Sequence, residues 1–389
     1  MEETPKLQTL VDIKPTPHSV SRISAELTAE ESVKDQRIPF PFFRPLSQRK
    51  ENTWIISIFV ILHLISFTAT MFVNDCWGNS HAQCALKSLG RFSFQPLAEN
   101  PLLGPSASAL DSMGALHKRY LIKGHQPWRL LTSSCLHGGV FHIIISLSSV
   151  IFVGIHLEQE FGPLRTGLIY ILSALMGSLV AALFLQDRAS VTSSGALFGL
   201  LGALLSGLIR NWKIYSKKFA TLVLFSIILT LNTIVGLMPY VNNFSNIGGF
   251  MSGFLTGFML LLKPELGKVY HIKGFLIDYD AKNRVQHRHK FDKPVLRSVS
   301  LVIFSLVLAG VTVAIVQGVN LNKYCSWCRY IDCVPLKWWS CDDITMPCEA
   351  MTSSEQLTLT CSGNGKFKVL PSANVSEARI QDLCYLICS

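Results

Sequence analysis

The sequence predicts an all-α, multi-pass membrane protein, and three observations predict it. Charged side chains are 15% of the 389 residues, against about 25% in soluble proteins. Hydrophobic residues are 49%, mean hydropathy is +0.36, and the apolar residues are bunched into runs of membrane-crossing length. Eight of the eleven cysteines fall in the last 65 residues, beyond the last of those runs. The first two observations argue against a cytosolic globular enzyme. The formal charge of +10 is then read by location, because basic residues beside membrane helices report orientation before they report an acidic partner. No nucleic-acid surface is inferred from it.

Residues 1–53 are polar and proline-punctuated, without apolar periodicity, and are read as a disordered cytosolic tail. The first 30 residues hold no apolar h-region, so the first hydrophobic segment serves as an uncleaved anchor. Seven apolar stretches follow, at about 54–73, 140–157, 166–185, 193–209, 219–238, 246–262 and 298–317, each spanning a ~30 Å hydrocarbon layer or nearly so. The fourth and sixth are short and rich in small residues, which suits helices packed inside a bundle.

Lys and Arg in the connections set the expected orientation. The link at 210–218 carries four and the link at 263–297 carries nine against four acids, so both are placed in the cytosol with the N-terminal tail. Seven crossings then put 74–139 and the tail 318–389 on the opposite face. The cysteines agree: Cys76 and Cys84 fall in the first of these regions, eight (Cys325, Cys328, Cys333, Cys341, Cys348, Cys361, Cys384, Cys388) in the second, and Cys135 is left over. Even numbers on one oxidising face read as disulfides. A zinc site at Cys325–Cys328 (CSWC) is the competing reading, opposed by the lack of His from 319 onward. No pairing follows from the sequence. The sequon at Asn374 is open to glycosylation, whereas the one at Asn243 abuts the sixth stretch.

Few chemistries fit inside such a membrane domain. His137 and His142 are five apart, about 140° around a helix, and cannot form the paired ligands of a zinc protease. None of the seven stretches has an internal Asp or Glu, which removes aspartyl chemistry and argues against ion-coupled transport. Serine chemistry remains, with Ser194 as the candidate, although small residues beside glycine in a membrane mostly serve packing. Gly249, Gly253 and Gly257, four residues apart, form a close-packing face that with Ser194, Gly195 and Gly199 lets the fourth and sixth helices approach. The reading needs no cofactor and no metal.

Six motifs occur in order: ENPLLGPS at 99–106, Trp128–Arg129, HGGVFH at 137–142, LEQEFGPLR at 157–165, SGALFGLLGA at 194–203 and NNFSNIGGFMSGF at 242–254. In these the chain resembles the rhomboid intramembrane serine proteases, and from 54 to 388 the plant rhomboid-like proteins. The resemblance implies a six-helix membrane domain at 54–262, a basic cytosolic linker at 263–297, a seventh transmembrane helix at 298–317 and a disulfide-bonded lumenal or extracellular tail at 318–389. It places the nucleophile at Ser194, the general base at the position of Asn246, and the oxyanion side at His142 and Ser146.

Three of those positions depart from the family pattern. The base is a histidine in active members and is Asn246 here; an oxyanion asparagine is Ser146; the first glycine of GxSG is Thr192. A serine hydroxyl is a weak nucleophile without a neighbouring base, and a carboxamide accepts no proton near neutral pH. Loss of one member of such a pair removes roughly 10⁴ to 10⁶ of rate, and loss of an oxyanion donor about 10² to 10³. Thr192 is expected to resist backbone conformations that glycine permits. The other motifs have structural readings: Trp128 and Arg129 in an interfacial loop, and Glu158, Glu160 and Arg165 satisfying charges and backbone groups at a cytosolic connection.

The sequence therefore predicts an inactive rhomboid-like homologue, a pseudoprotease, that binds or regulates transmembrane segments of client proteins within the lipid bilayer. The family resemblance suggests a secretory-pathway membrane, Golgi or plasma membrane, with the N-terminus cytosolic. The alternatives are an active intramembrane serine endopeptidase using Ser194 with a non-standard base, such as His142, and a scaffold whose cysteine-rich tail is the interaction module.

Overall fold

The computed structural model describes residues 38–39, 53–80, 84–121, 125–212, 215–261, 294–341, 348–352, 356–361 and 366–371, apart from single positions 98, 119, 187, 326, 337, 338 and 340, and adds 380, 383, 384 and 387. The rest of the N-terminal tail, most of the 263–297 link, the Asn374 sequon and Cys388 lie outside these residues. Among those described, seven helices have 17 residues or more: α1 (Trp54–Asn74), α2 (Val140–Phe161), α3 (Pro163–Leu183), α4 (Ser194–Arg210), α5 (Lys218–Val235), α6 (Asn243–Leu260) and α7 (Pro294–Val316). Five of them, α1, α2, α3, α5 and α7, are long and apolar enough to cross a membrane. The chain is a multi-pass membrane protein.

Helix α4 is the axis of the bundle. Ser194–Leu204 is buried without a break, and α2, α3, α5 and α6 pack around it. What allows this is the absence of side chains. A methyl placed on Gly249 or Gly253 of α6 would overlap the backbone carbonyls of Gly195 and Gly199 on α4, and one on Gly202 would overlap Phe250 of α6. A Cβ at Gly177 of α3 would stand 2.7 Å from the Ser245 carbonyl oxygen, so α3 joins the same contact. The close approach expected from the glycine spacing is present, and it draws α6, whose composition is too polar for a lipid-facing span, into the protein interior.

Polar groups close the helix ends. Glu158, buried near the end of α2, accepts from the N–H groups of Ile55 (2.9 Å) and Ile56 (3.0 Å), capping α1 where Thr53 provides no side-chain cap. The carboxylate suits the positive end of the helix dipole. At the other end of the bundle, Leu102 and Leu103 of the ENPLLGPS loop accept from the first N–H groups of α2 (Phe141 at 3.2 Å, Val140 at 2.9 Å). Asn100 ties that loop to Gly138 and Pro105 through its amide, both at 2.8 Å. Arg129 departs from the interfacial expectation. It is buried, donates to the Ala115 carbonyl (2.8 Å) and to Gln126 (2.7 Å), and covers the Tyr120 ring, while its neighbour Trp128 is half exposed. The Ala115 carbonyl and the Gln126 side chain give the guanidinium partners inside the protein.

The cysteines pair as Cys76–Cys84, Cys325–Cys328 and Cys333–Cys341; Cys361 and Cys384 are also disulfide-bonded, and Cys135 is free. The tail is not helical throughout. Strands β1 (Cys348–Thr352), β2 (Gln356–Cys361) and β3 (Phe367–Pro371) form an antiparallel meander, with Leu357, Leu359 and Cys361 buried on one face. In the N-terminal tail, Ile38–Pro39 pairs in parallel with Tyr215–Ser216.

After α7 the chain folds back onto the bundle. Asp332, fully buried, accepts from Arg188 Nη2 at 2.6 Å and from the Asn243 backbone N–H at 3.1 Å, and Arg188 Nη1 donates to the Cys341 carbonyl at 3.0 Å. Removing one member of such a pair strands a buried charge. Asp332→Ala is expected to cost about 3–5 kcal/mol, and Arg188→Met with Asp332→Leu to recover most of it, as read from thermal unfolding in detergent. Gly253→Ala, which forces α4 and α6 apart, is expected to destabilise the bundle by at least about 1–3 kcal/mol, read in the same way.

Candidate active site

Ser194 opens α4, and three short strand-like contacts hold the segment before it. Ser190 exchanges backbone hydrogen bonds with Leu116 (2.8 and 2.9 Å), the Val191 N–H donates to Tyr240 (2.7 Å), and the Asn242 N–H donates to Val191 (3.2 Å). The start of α4 is thereby fixed to the loop before α6. The Asn242 side chain caps α6 by accepting from Phe244 and Ser245, and Asn246 lies one turn along. Ser194 and Asn246 thus sit on the two helices whose glycines touch, and both are buried.

They are not hydrogen-bonded. Ser194 Oγ has no partner, and neither does Asn246 Oδ1. The Asn246 amide is turned instead to its own helix: Nδ2 donates to Asn243 Oδ1 at 2.7 Å. That direction is imposed by Asn243, whose own Nδ2 donates to the carbonyls of Ile331 (2.8 Å) and Thr233 (3.3 Å), leaving its Oδ1 only the acceptor role. The same contacts bury the Asn243 sequon.

Thr192 keeps its backbone out of the left-handed region, where a β-branched residue would be an outlier. Its hydroxyl joins a buried cluster, within 2.8 Å of Ser178 Oγ and 2.9 Å of Ser133 Oγ, while its N–H donates to the Ser133 carbonyl at 3.0 Å. A side chain in place of the family's glycine is accommodated by partners that a glycine would lack.

His142 lies in the first turn of α2, and Ser146 follows one turn later on the same face, both buried. The Gly138 N–H donates to His142 Nδ1 at 3.1 Å, so the neutral ring carries its proton on Nε2, which has no partner. His142 can donate from that atom and cannot accept there. Its ring lies 5.0 Å from that of His137, which lies 5.0 Å from that of His63, and His63 Nε2 is 2.7 Å from the Tyr170 hydroxyl. This file of rings links α1, α2 and α3. His63 carried no signal in the sequence beyond being a lone histidine in an apolar run. Among the described residues no group of His, Cys, Asp and Glu is arranged to hold a metal.

A rhomboid domain model matches residues 124–263, which include the starts of α2, α4 and α6. Over 315 residues the chain is 52% identical to Inactive RHOMBOID-like protein 8 of Arabidopsis thaliana, covering 80% of this chain and 90% of that one. The chain belongs to the rhomboid family. It is 44% identical to RHOMBOID-like protein 1 of the same plant, over 90% of this chain and 89% of the relative. Inactive rhomboid protein 1 of Danio rerio is 30% identical over 54% of this chain and 22% of its own length. The rhomboid motifs noted in the sequence have structural work in the fold: ENPLLGPS and HGGVFH dock together at the start of α2, and LEQEFGPLR contributes the carboxylate that caps α1.

A buried hydroxyl without a partner is a cost to the fold, whereas one in a cluster is not. Ser194→Ala is therefore expected to leave thermal stability unchanged or to raise it by about 1 kcal/mol. Ser178→Ala, which takes the 2.8 Å partner from both Thr192 and Ser134 and leaves them their contacts to Ser133 and the Leu130 carbonyl, is expected to lower it by about 1 kcal/mol; unfolding curves of the two variants check the contrast.

Proposed function

We propose that this rhomboid-family protein is a pseudoprotease that binds transmembrane segments of client proteins and regulates their fate without cutting them. One observation carries the reading: the hydroxyl of Ser194 is buried without a hydrogen-bond partner, and the residue at the base position, Asn246, turns its N–H toward Asn243. A nucleophile needs a base within about 3 Å to take its proton, and a carboxamide oxygen is no base near neutral pH. His142 does not substitute, because its Nδ1 is occupied by the Gly138 N–H and its Nε2 carries the proton. That arrangement preserves a donor on the oxyanion side of a site that lacks the step preceding it. Two relatives bearing the word inactive in their names, one at 52% identity, support the same reading.

Client binding rests on what the fold retains, an intact helical bundle with polar groups at membrane depth. We place the N-terminus in the cytosol and the cysteine-rich tail in the lumen or outside the cell, in a secretory-pathway membrane such as Golgi or plasma membrane. The disulfides suit that side. They gather at the bundle end where α1, α3, α5 and α7 finish, opposite the basic connection between α4 and α5.

The test is co-expression with a tagged single-pass membrane substrate, alongside Ser194→Ala and Asn246→His. Wild type is expected to yield no Ser194-dependent fragment, a deficit of at least roughly 10⁴ in rate relative to a serine with its base. A fragment produced by the wild type and abolished by Ser194→Ala contradicts the proposal.

A further inference from the structure

A groove of about 510 Å³ lies between α5 and α6, reaching Phe198 of α4 at its base. Leu229 of α5 and Ile247, Phe250 and Met251 of α6 make its walls apolar, and Ile247 and Met251 are exposed. At the end of the bundle that carries Ser194, the groove is closed by Tyr330 and Ile331 of the disulfide-flanked segment after α7. That end wall is held by the Arg188–Asp332 pair and by the Val334 N–H donating to the Leu237 carbonyl at 3.1 Å.

Thr233, Asn243, Asn246 and Tyr330 add polar groups to this lining, and of these Asn246 has a buried side-chain acceptor left unmet. Asn246 is 3% exposed, lines the groove, and its Oδ1 has no hydrogen-bond partner. The amide cannot turn over to relieve this. Its Nδ2 is required by Asn243 Oδ1, and Asn243 is held in turn by the Ile331 and Thr233 carbonyls. The tail thus sets which atom of Asn246 is left over. An unmet acceptor in a low-dielectric groove favours an occupant that brings a donor. Acyl chains fill apolar walls but have no donor. A helix carrying serine, threonine or asparagine has both.

The geometry points to this groove as the docking site for one apolar transmembrane helix that presents a hydroxyl or carboxamide donor to Asn246 Oδ1. The inference rests on the client-binding reading and assigns it a surface and a chemistry. Residue 246 then serves as an acceptor for the client, in the place where the family's base would be.

The experiment uses the full chain in phosphatidylcholine vesicles with two dansyl-labelled synthetic transmembrane peptides of leucine and alanine, one bearing a central serine. Energy transfer from the protein's tryptophans reports association anywhere, and a benzophenone side chain at Met251 or at Ile65, on the exposed face of α1, reports location. The serine peptide is expected to cross-link at Met251 at least fivefold more than its serine-free counterpart, with no preference at Ile65. Asn246→Leu is expected to erase the preference. Ile247→Trp, which fills the groove from an exposed position and leaves the buried amides alone, is expected to lower cross-linking at Met251 at least fivefold. Association without preference at Met251, or a preference that survives both substitutions, overturns the groove while client binding stands. Absence of energy transfer with either peptide overturns both.

Discussion

The contact between the backbones of α4 and α6 is the constraint on which the rest depends. Gly249 and Gly253 stand against the carbonyls of Gly195 and Gly199, with no room for a methyl. In a bilayer, lipid tails compete with side chains for apolar contact, so close backbone approach is what makes helix association favourable. The same contact delivers Ser194 and Asn246 to one interface at one depth. A chain that keeps this packing keeps the form of a serine protease site whether or not the site can transfer a proton.

What occupies the site is a set of matched hydrogen bonds in place of a proton relay. Thr192 has the hydroxyls of Ser133 and Ser178, Asn246 has Asn243, and Asn243 has the segment that ends in Asp332. Buried polar groups are costly unless paired, and most groups here are paired. Among the groups without a hydrogen-bond partner are Ser193 Oγ and the His137 ring, together with Ser194 Oγ, Asn246 Oδ1 and His142 Nε2, the atoms that chemistry or a ligand would use. Ser194 and Asn246 lie on the two helices whose backbones touch, and the family's base is absent from that contact.

Most of the membrane architecture was legible in the sequence because the bilayer writes it plainly: an apolar run of about 20 residues has few other uses. The α4–α6 contact was legible for a similar reason, since glycines four apart leave one helix face bare. Contacts between distant residues were not. Glu158 lies 103 residues from Ile55 and nothing local marks it as the cap of α1; Asp332 lies 144 residues from Arg188. The position of Ser194 at the head of a helix could be read, whereas the direction of the Asn246 amide could not, because two carbonyls supplied by other segments, those of Thr233 and Ile331, decide it. The β1–β3 meander carries a local signal, the alternation of Leu357, Leu359 and Cys361, within a tail that holds eight of the eleven cysteines. Arg129 reads as interfacial beside an exposed Trp128, and the Ala115 carbonyl and Gln126 side chain that turn it inward carry no mark in the sequence.

The central claim is that Ser194 is not an activated nucleophile. The most direct measurement is labelling of the purified full-length protein in membranes with a fluorophosphonate, followed by intact-mass analysis. A serine without a base reacts no faster than an ordinary hydroxyl, so no adduct is expected at Ser194, and neither wild type nor Ser194→Ala gains mass over its untreated form. A single adduct on the wild type that is absent from Ser194→Ala would contradict it.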